Sequence, residues 1–156
     1  MELTDEIYND IVKLTNKGNI FAEKNKFKDA LDCFSRALDL IPEPKNDWEA
    51  STWIYTALGD VYFIKKEFEI ASDNLFNAYS CPDGYTNPFI LLRLGQSLLE
   101  INNVEKAKEY LLRAYMLEGD SIFENEEKKY FNLIKDLTNQ GKKESKFSLL
   151  IKKFRS

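Results

Sequence analysis

The chain has 156 residues, 44% of them hydrophobic and 31% charged, a length and balance that suit one domain with a continuous buried core. It contains no histidine, which removes the usual general base and the commonest metal ligand, and its two cysteines are too few for a disulfide framework. The net charge of −4 hides a division: residues 1–128 hold 14 Lys and Arg against 24 Asp and Glu, a net of −10, and residues 129–156 hold 8 against 2, a net of +6.

The opening residues Met1 to Glu6 are acidic and lack the basic start of a signal peptide. No apolar run approaches the roughly 18 residues of a membrane span, so a cytoplasmic protein without membrane contact is expected. Thr4 is placed to cap a first helix over 4–24, with Asp5 and Glu6 in its opening turn. Further helices are predicted over 27–40, 47–65, 68–80, 87–101 and 104–117. For the third, Asp47 is the expected N-cap with Glu49 in the first turn, so the stretch from Glu43 to Glu49 reads as one to two extra helical turns leading to Trp48 and Trp53. Lys24-Asn25-Lys26, Lys65-Lys66-Glu67 and Asn102-Asn103 are short connections within helix pairs. Cys33 and Cys81 read as buried thiols.

After Gly119-Asp120-Ser121 two more helices are predicted, over 121–139 and 143–154. The first carries an apolar stripe of Tyr130, Leu133, Ile134 and Leu137 and is expected to cap the exposed end of the stack. The second sets Phe147, Leu150, Ile151 and Phe154 mainly opposite Lys146, Lys152, Lys153 and Arg155. It is expected to complete the cap, to lie in the chain's own groove, or to dock on a partner or another copy, which leaves a monomer or a weakly self-associating chain.

One spacing recurs along these elements. A glycine is followed by alanine 12 and 19 residues later at Gly18–Ala30–Ala37, Gly59–Ala71–Ala78 and Gly95–Ala107–Ala114, which uses six of the nine alanines. Larger residues recur around the frame: Leu14, Tyr55 or Leu91 before the glycine, then Phe21, Tyr62 or Leu98, then Phe34, Leu75 or Leu111 sixteen after it. Offsets of three, four and seven mark helical faces, and a repeated two-helix unit follows. Two helices approach to 8–10 Å only where the side chains between them are short.

This pattern resembles the tetratricopeptide repeat (TPR) family over about residues 11–121, with Pro42 standing where the family places its helix-ending proline. The resemblance implies an all-α fold: a right-handed superhelical stack of antiparallel helix pairs, with units at about 11–44, 52–85 and 88–121 and C-terminal capping helices, the whole chain forming a single domain. The glycine spacings of 41 and 36 depart from the family's period of about 34 residues. The second unit has Pro82 one place early, and the third has Gly119 in place of the proline.

No C-x-x-C, G-x-G-x-x-G, Walker-type or G-x-S-x-G motif occurs, so neither catalysis nor a cofactor is expected. The acids Glu124, Glu126 and Glu127 read as a helix-start cluster favoured by the dipole, and no metal site is expected. Basic and aromatic residues interleave near the C-terminus, but an acidic body argues against nucleic acid. The resemblance implies a non-enzymatic protein-binding module whose first helices line a groove. It assigns to that groove Thr15, Asn19 and Glu23; Trp53, Thr56, Asp60 and Phe63; and Phe89, Leu92, Arg93, Gln96 and Leu99.

Chaperone-adaptor members of the family grip a partner's C-terminal carboxylates with two lysines, two asparagines and an arginine. The corresponding places here hold Thr15, Asn19, Ala57, Phe89 and Arg93, so only two agree and a chaperone-tail receptor is not expected. The expected partner is another protein, offering an apolar or basic peptide or helix to an adaptor. The alternative is a bacterial immunity protein that neutralises a basic toxin domain, such as a nuclease, through the acidic exterior. A composition rich in Lys, Asn and Ile and free of His motivates that alternative.

Overall fold

The computed structural model describes residues 2–138. Helices α1 (Asp5–Glu23) and α2 (Phe27–Asp39), α3 (Glu49–Ile64) and α4 (Phe68–Tyr79), and α5 (Pro88–Glu100) and α6 (Val104–Glu118) form three successive pairs. A seventh helix, α7, covers 128–138, and no strand occurs among the described residues. The fold is the expected all-α stack of antiparallel helix pairs.

The glycine–alanine frame is the seam of each pair. A Cβ on Gly18 would lie 2.6 Å from the ring of Phe34, on Gly59 2.5 Å from Cγ of Leu75, and on Gly95 2.7 Å from Cγ of Leu111. Each of these partners stands sixteen residues after its glycine, so the sequence frame is a list of contacts. All six framework alanines are fully buried. Glycine costs a helix about 1 kcal/mol relative to alanine, and the close approach of the paired helix offsets that cost.

The pairs turn in the same way. Asn25, Lys66 and Asn102 all take positive φ, between 57° and 65°. The next residue then donates its backbone N–H back to Phe21, Tyr62 and Leu98 respectively, each at 2.9 Å, which closes the end of the first helix. Thr4 caps α1 as expected, its hydroxyl accepting from the Ile7 N–H at 3.3 Å, and Asn87 caps α5 through Phe89 and Ile90.

Four expectations need correction. Asp47 does not cap α3: it belongs to a 3-10 turn, Lys45–Asp47, while Trp48 is the capping residue and supplies no side-chain hydrogen bond. The predicted helical extension fails because Lys45 donates to the Leu38 and Ile41 carbonyls at the end of α2, and Trp48 is drawn into the core. The predicted 121–139 helix instead starts at 128, because a 3-10 turn (Gly119–Phe123) buries Phe123 first. Along α7, Thr138 occupies the inner position expected of Leu137: Tyr130, Ile134 and Thr138, four apart, are buried and Leu137 is 40% exposed. The predicted 143–154 helix lies outside the described residues.

Both cysteines are buried and free, and burial pushes the Cys81 thiol up to about 11. Among the described residues, no helix is long and apolar enough to cross a membrane.

Candidate functional site

The first helices of the pairs touch one another, α1 against α3 and α3 against α5, so their unpaired sides form one face. Between α1 and α3 this face holds a cleft of about 220 Å³ walled by Tyr8, Val12, Asn16, Asn19, Trp53 and Ala57. The rings of Tyr8 and Trp53 meet edge to face, with centroids 6.5 Å apart. Thr15 also borders the cleft, but it is buried and its hydroxyl donates to the Ile11 carbonyl at 2.9 Å.

Between α3 and α5 the face is polar and closed. Arg93 Nε donates to Asp60 Oδ1 at 2.6 Å, and its Nη1 donates to Gln96 Oε1 at 2.8 Å and to Glu126 Oε2 at 3.0 Å. Gln96, fully buried, donates its Nε2–H to the same Glu126 oxygen at 2.8 Å. The guanidinium also lies 4.5 Å from the ring centre of Phe63 and 5.1 Å from that of Phe89. Only 14% of the Arg93 side chain is exposed, against 29% for Asp60 and 19% for Glu126. The cluster of two carboxylates and one cation carries a net charge of −1.

Beside it, Glu100 accepts from the Tyr130 hydroxyl at 2.8 Å and pairs with Lys129. Burial pushes the Glu100 carboxyl up, but the Lys129 and Tyr130 hydrogen bonds outweigh it and hold the group below its usual value. Burial, and then the Glu100 carboxylate, push the Tyr130 hydroxyl well above its own. These contacts fix α7 against the end of α5.

Removing the Arg93 side chain leaves two carboxylates and a buried amide without their cation. Breaking a fully buried ion pair costs about 3–5 kcal/mol. With this partial exposure, Arg93→Ala is expected to lose about 2–3 kcal/mol, or roughly 5–10 °C in melting temperature. Thermal melts of the two proteins check this, and an unchanged midpoint would show that the cluster contributes nothing.

The residues assigned to the groove are not all available. Leu92 is 2% exposed and belongs to the apolar core around Leu75, Leu91 and Leu111, because it points between helices rather than outward. Gln96 is sealed under Arg93 and Glu126. Thr56 is half-buried and its hydroxyl donates to the Thr52 carbonyl at 2.6 Å. Asn19, Glu23, Trp53 and Phe89 are exposed, and Asp60, Phe63 and Arg93 are drawn into the cluster.

Two contributors escaped the sequence reading. Tyr8 lies upstream of the first repeat boundary at residue 11. Glu126 was read as one of three helix-start acids, yet it sits in the turn before α7 and bonds Arg93. A signal existed: Asp60, Arg93 and Glu126 are spaced by 33 residues each, close to one repeat length.

Tetratricopeptide repeat models match residues 12–44 and 90–121, the first and third helix pairs. Protein STIP1 homolog of Dictyostelium discoideum is 30% identical over 71 residues, 46% of this chain, and the match covers only 12% of that protein's length. Among solved structures, the first TPR of Spaghetti (RPAP3) bound to the HSP90 peptide SRMEEVD superposes with a TM-score of 0.65 at 20% identity, covering 85% of this chain and 93% of that one. The second TPR domain of human RPAP3, in complex with the HSP70 peptide SGPTIEEVD, gives 0.65 at 14% identity, covering 85% and 98%. A C-terminal TPR-containing domain from Plasmodium falciparum gives 0.69 at 21% identity, covering 93% and 97%. At these identities the structural likeness is one of fold. The two repeat matches identify the first and third helix pairs as tetratricopeptide repeats, and the structural likeness and the triplicated seam extend that fold to the second.

Proposed function

We propose that this domain binds a segment of another protein along the face of α1, α3 and α5, and that the segment is apolar and basic rather than an acidic tail. The observation that carries this reading is the state of Arg93, which is already neutralised by Asp60 and Glu126. Two of the structural neighbours hold peptides ending in Glu-Glu-Val-Asp. Such a tail brought to this face would meet a cluster of net negative charge, with Thr15 turned to its own backbone and Phe89 where a basic or amide side chain would serve it. Apolar contact is available from Trp53 and Phe89, each just over one-third exposed.

Phe89→Ala tests the reading. The ring is outside the helix seam and the Asn87 cap uses backbone groups, so the fold is expected to survive. Affinity for an amphipathic basic peptide is expected to fall about 5- to 30-fold, the 1–2 kcal/mol of one aromatic anchor, by isothermal titration calorimetry. Unchanged affinity, or tighter binding of an SRMEEVD peptide than of the basic one, would refute the reading. The toxin-neutralising alternative rests on composition and the acidic exterior alone, and nothing in the fold adds to it.

A further inference from the structure

Behind the Tyr8–Trp53 pair lies a second, larger cavity of about 470 Å³, between the starts of α1 and α3. It shares those two rings with the cleft on the helix face, so the pair is a common wall. Trp48 adds a third aromatic surface, and Glu2, Asp47 and Glu49 add three carboxylates. No lysine or arginine is among the described residues that line it, and none of the three carboxylates has an ion-pair partner among the described residues.

Helix chemistry accounts for only part of this. Glu49 opens α3 and suits its dipole, but Asp47 stands before the helix and makes no capping bond. Trp48 is 8% exposed and its indole N–H finds no acceptor among the described residues, a need that a guanidinium does not meet and a partner's backbone carbonyl would. Tyr8 and Trp53, by contrast, are 48% and 36% exposed, so rings stand open beside acids that have no ion-pair partner among the described residues. That is an unfavourable surface to leave uncovered, and a cation on an apolar stem would satisfy both halves of it.

We propose that this cavity receives an arginine side chain of a protein partner. The guanidinium is planar, weakly hydrated and able to stack on aromatic faces while donating to carboxylates in pairs. Lysine offers a more strongly hydrated point charge without the stacking plane. The proposal deepens the peptide-binding reading: a segment lying on the helix face and crossing the Tyr8–Trp53 wall places its arginine in the cavity and an apolar neighbour in the cleft.

The test uses a property of the chain itself. It has two tryptophans, and both line this cavity, so intrinsic tryptophan emission reports on the cavity and, through Trp53, on the adjoining cleft; a citrulline peptide with the same leucines separates the two. The whole chain is titrated with the acetylated, amidated tripeptide Leu-Arg-Leu, with its citrulline counterpart as a neutral isostere, and with Leu-Lys-Leu. Arginine is expected to shift the emission saturably, with the citrulline peptide at least tenfold weaker and the lysine peptide between them. A doubly substituted Asp47→Asn, Glu49→Gln chain, folded by circular dichroism, is expected to lose the preference for arginine over citrulline. Equal affinity for arginine and citrulline, no change in emission, or a preference that survives the double substitution would overturn the proposal, and parity of lysine with arginine would overturn the choice of guanidinium. If Phe89→Ala weakens a longer segment while arginine adds nothing, the cavity proposal alone fails. If arginine binds but Phe89 is inert, the helix-face reading fails instead.

Discussion

A Gly59→Leu chain is expected to lose its cooperative thermal transition. The first carbon added at this position already stands 2.5 Å from Cγ and 2.8 Å from Cδ2 of Leu75, and Leu75 is fully buried between α3 and α4. Leucine adds three further carbons that have no space along the seam. Overpacking by a few methylenes costs about 1–3 kcal/mol, and separating two helices costs more, so a loss above about 4 kcal/mol is expected. Against a total stability of about 5–15 kcal/mol, that loss melts the middle pair and with it the support for its neighbours. Far-UV circular dichroism on heating measures it. A variant melting within a few degrees of the parent would mean that the glycine–alanine seam is not what holds the helices together.

Gly84→Ala is the smaller substitution with a comparable result. Gly84 begins the 3-10 turn Gly84–Thr86 between α4 and α5, following Asp83 at φ 59°. A methyl group here would lie 1.9 Å from the Ala78 carbonyl oxygen and 2.9 Å from that of Tyr79. These are backbone atoms at the end of α4, so no side-chain rotation relieves the clash, and the joint between the second and third pairs must open. A loss of about 3–5 kcal/mol is expected, roughly 6–20 °C in melting temperature for a chain of this size. Urea unfolding checks it through the midpoint, and an unchanged midpoint would place the turn away from α4.

The contrast between these glycines explains how much could be read in advance. Gly18, Gly59 and Gly95 announce themselves because the same packing problem is solved three times with the same small residues. Repetition made the helix pairs, their partners sixteen residues on and their turns legible. Gly84 solves its problem once: the other 3-10 turn between helix pairs, Lys45–Asp47, holds no glycine, and composition gives no hint that a carbonyl lies above it. The same distinction governs the helix face. Trp53 and Phe89 fell out of the family register as exposed groove residues, whereas the inward turn of Leu92 and Gln96 depends on how α5 rotates against its neighbours. The path from Pro42 to Trp48 was misread because Asp47 is a good capping residue by type. A lysine reaching back to α2 and an indole drawn into the core decided its conformation instead.

Glu126 reaches Arg93 from beyond the three repeats, and this gives the end of the stack a say in what the middle will admit. With that acid in place the guanidinium is over-compensated, and the cluster as a whole repels a further anion. In a Glu126→Gln chain Asp60 alone would remain and the patch would be electrically even. Under the proposed binding mode, selectivity for the sign of a visiting chain is thus written partly in the turn before α7, outside the three repeats.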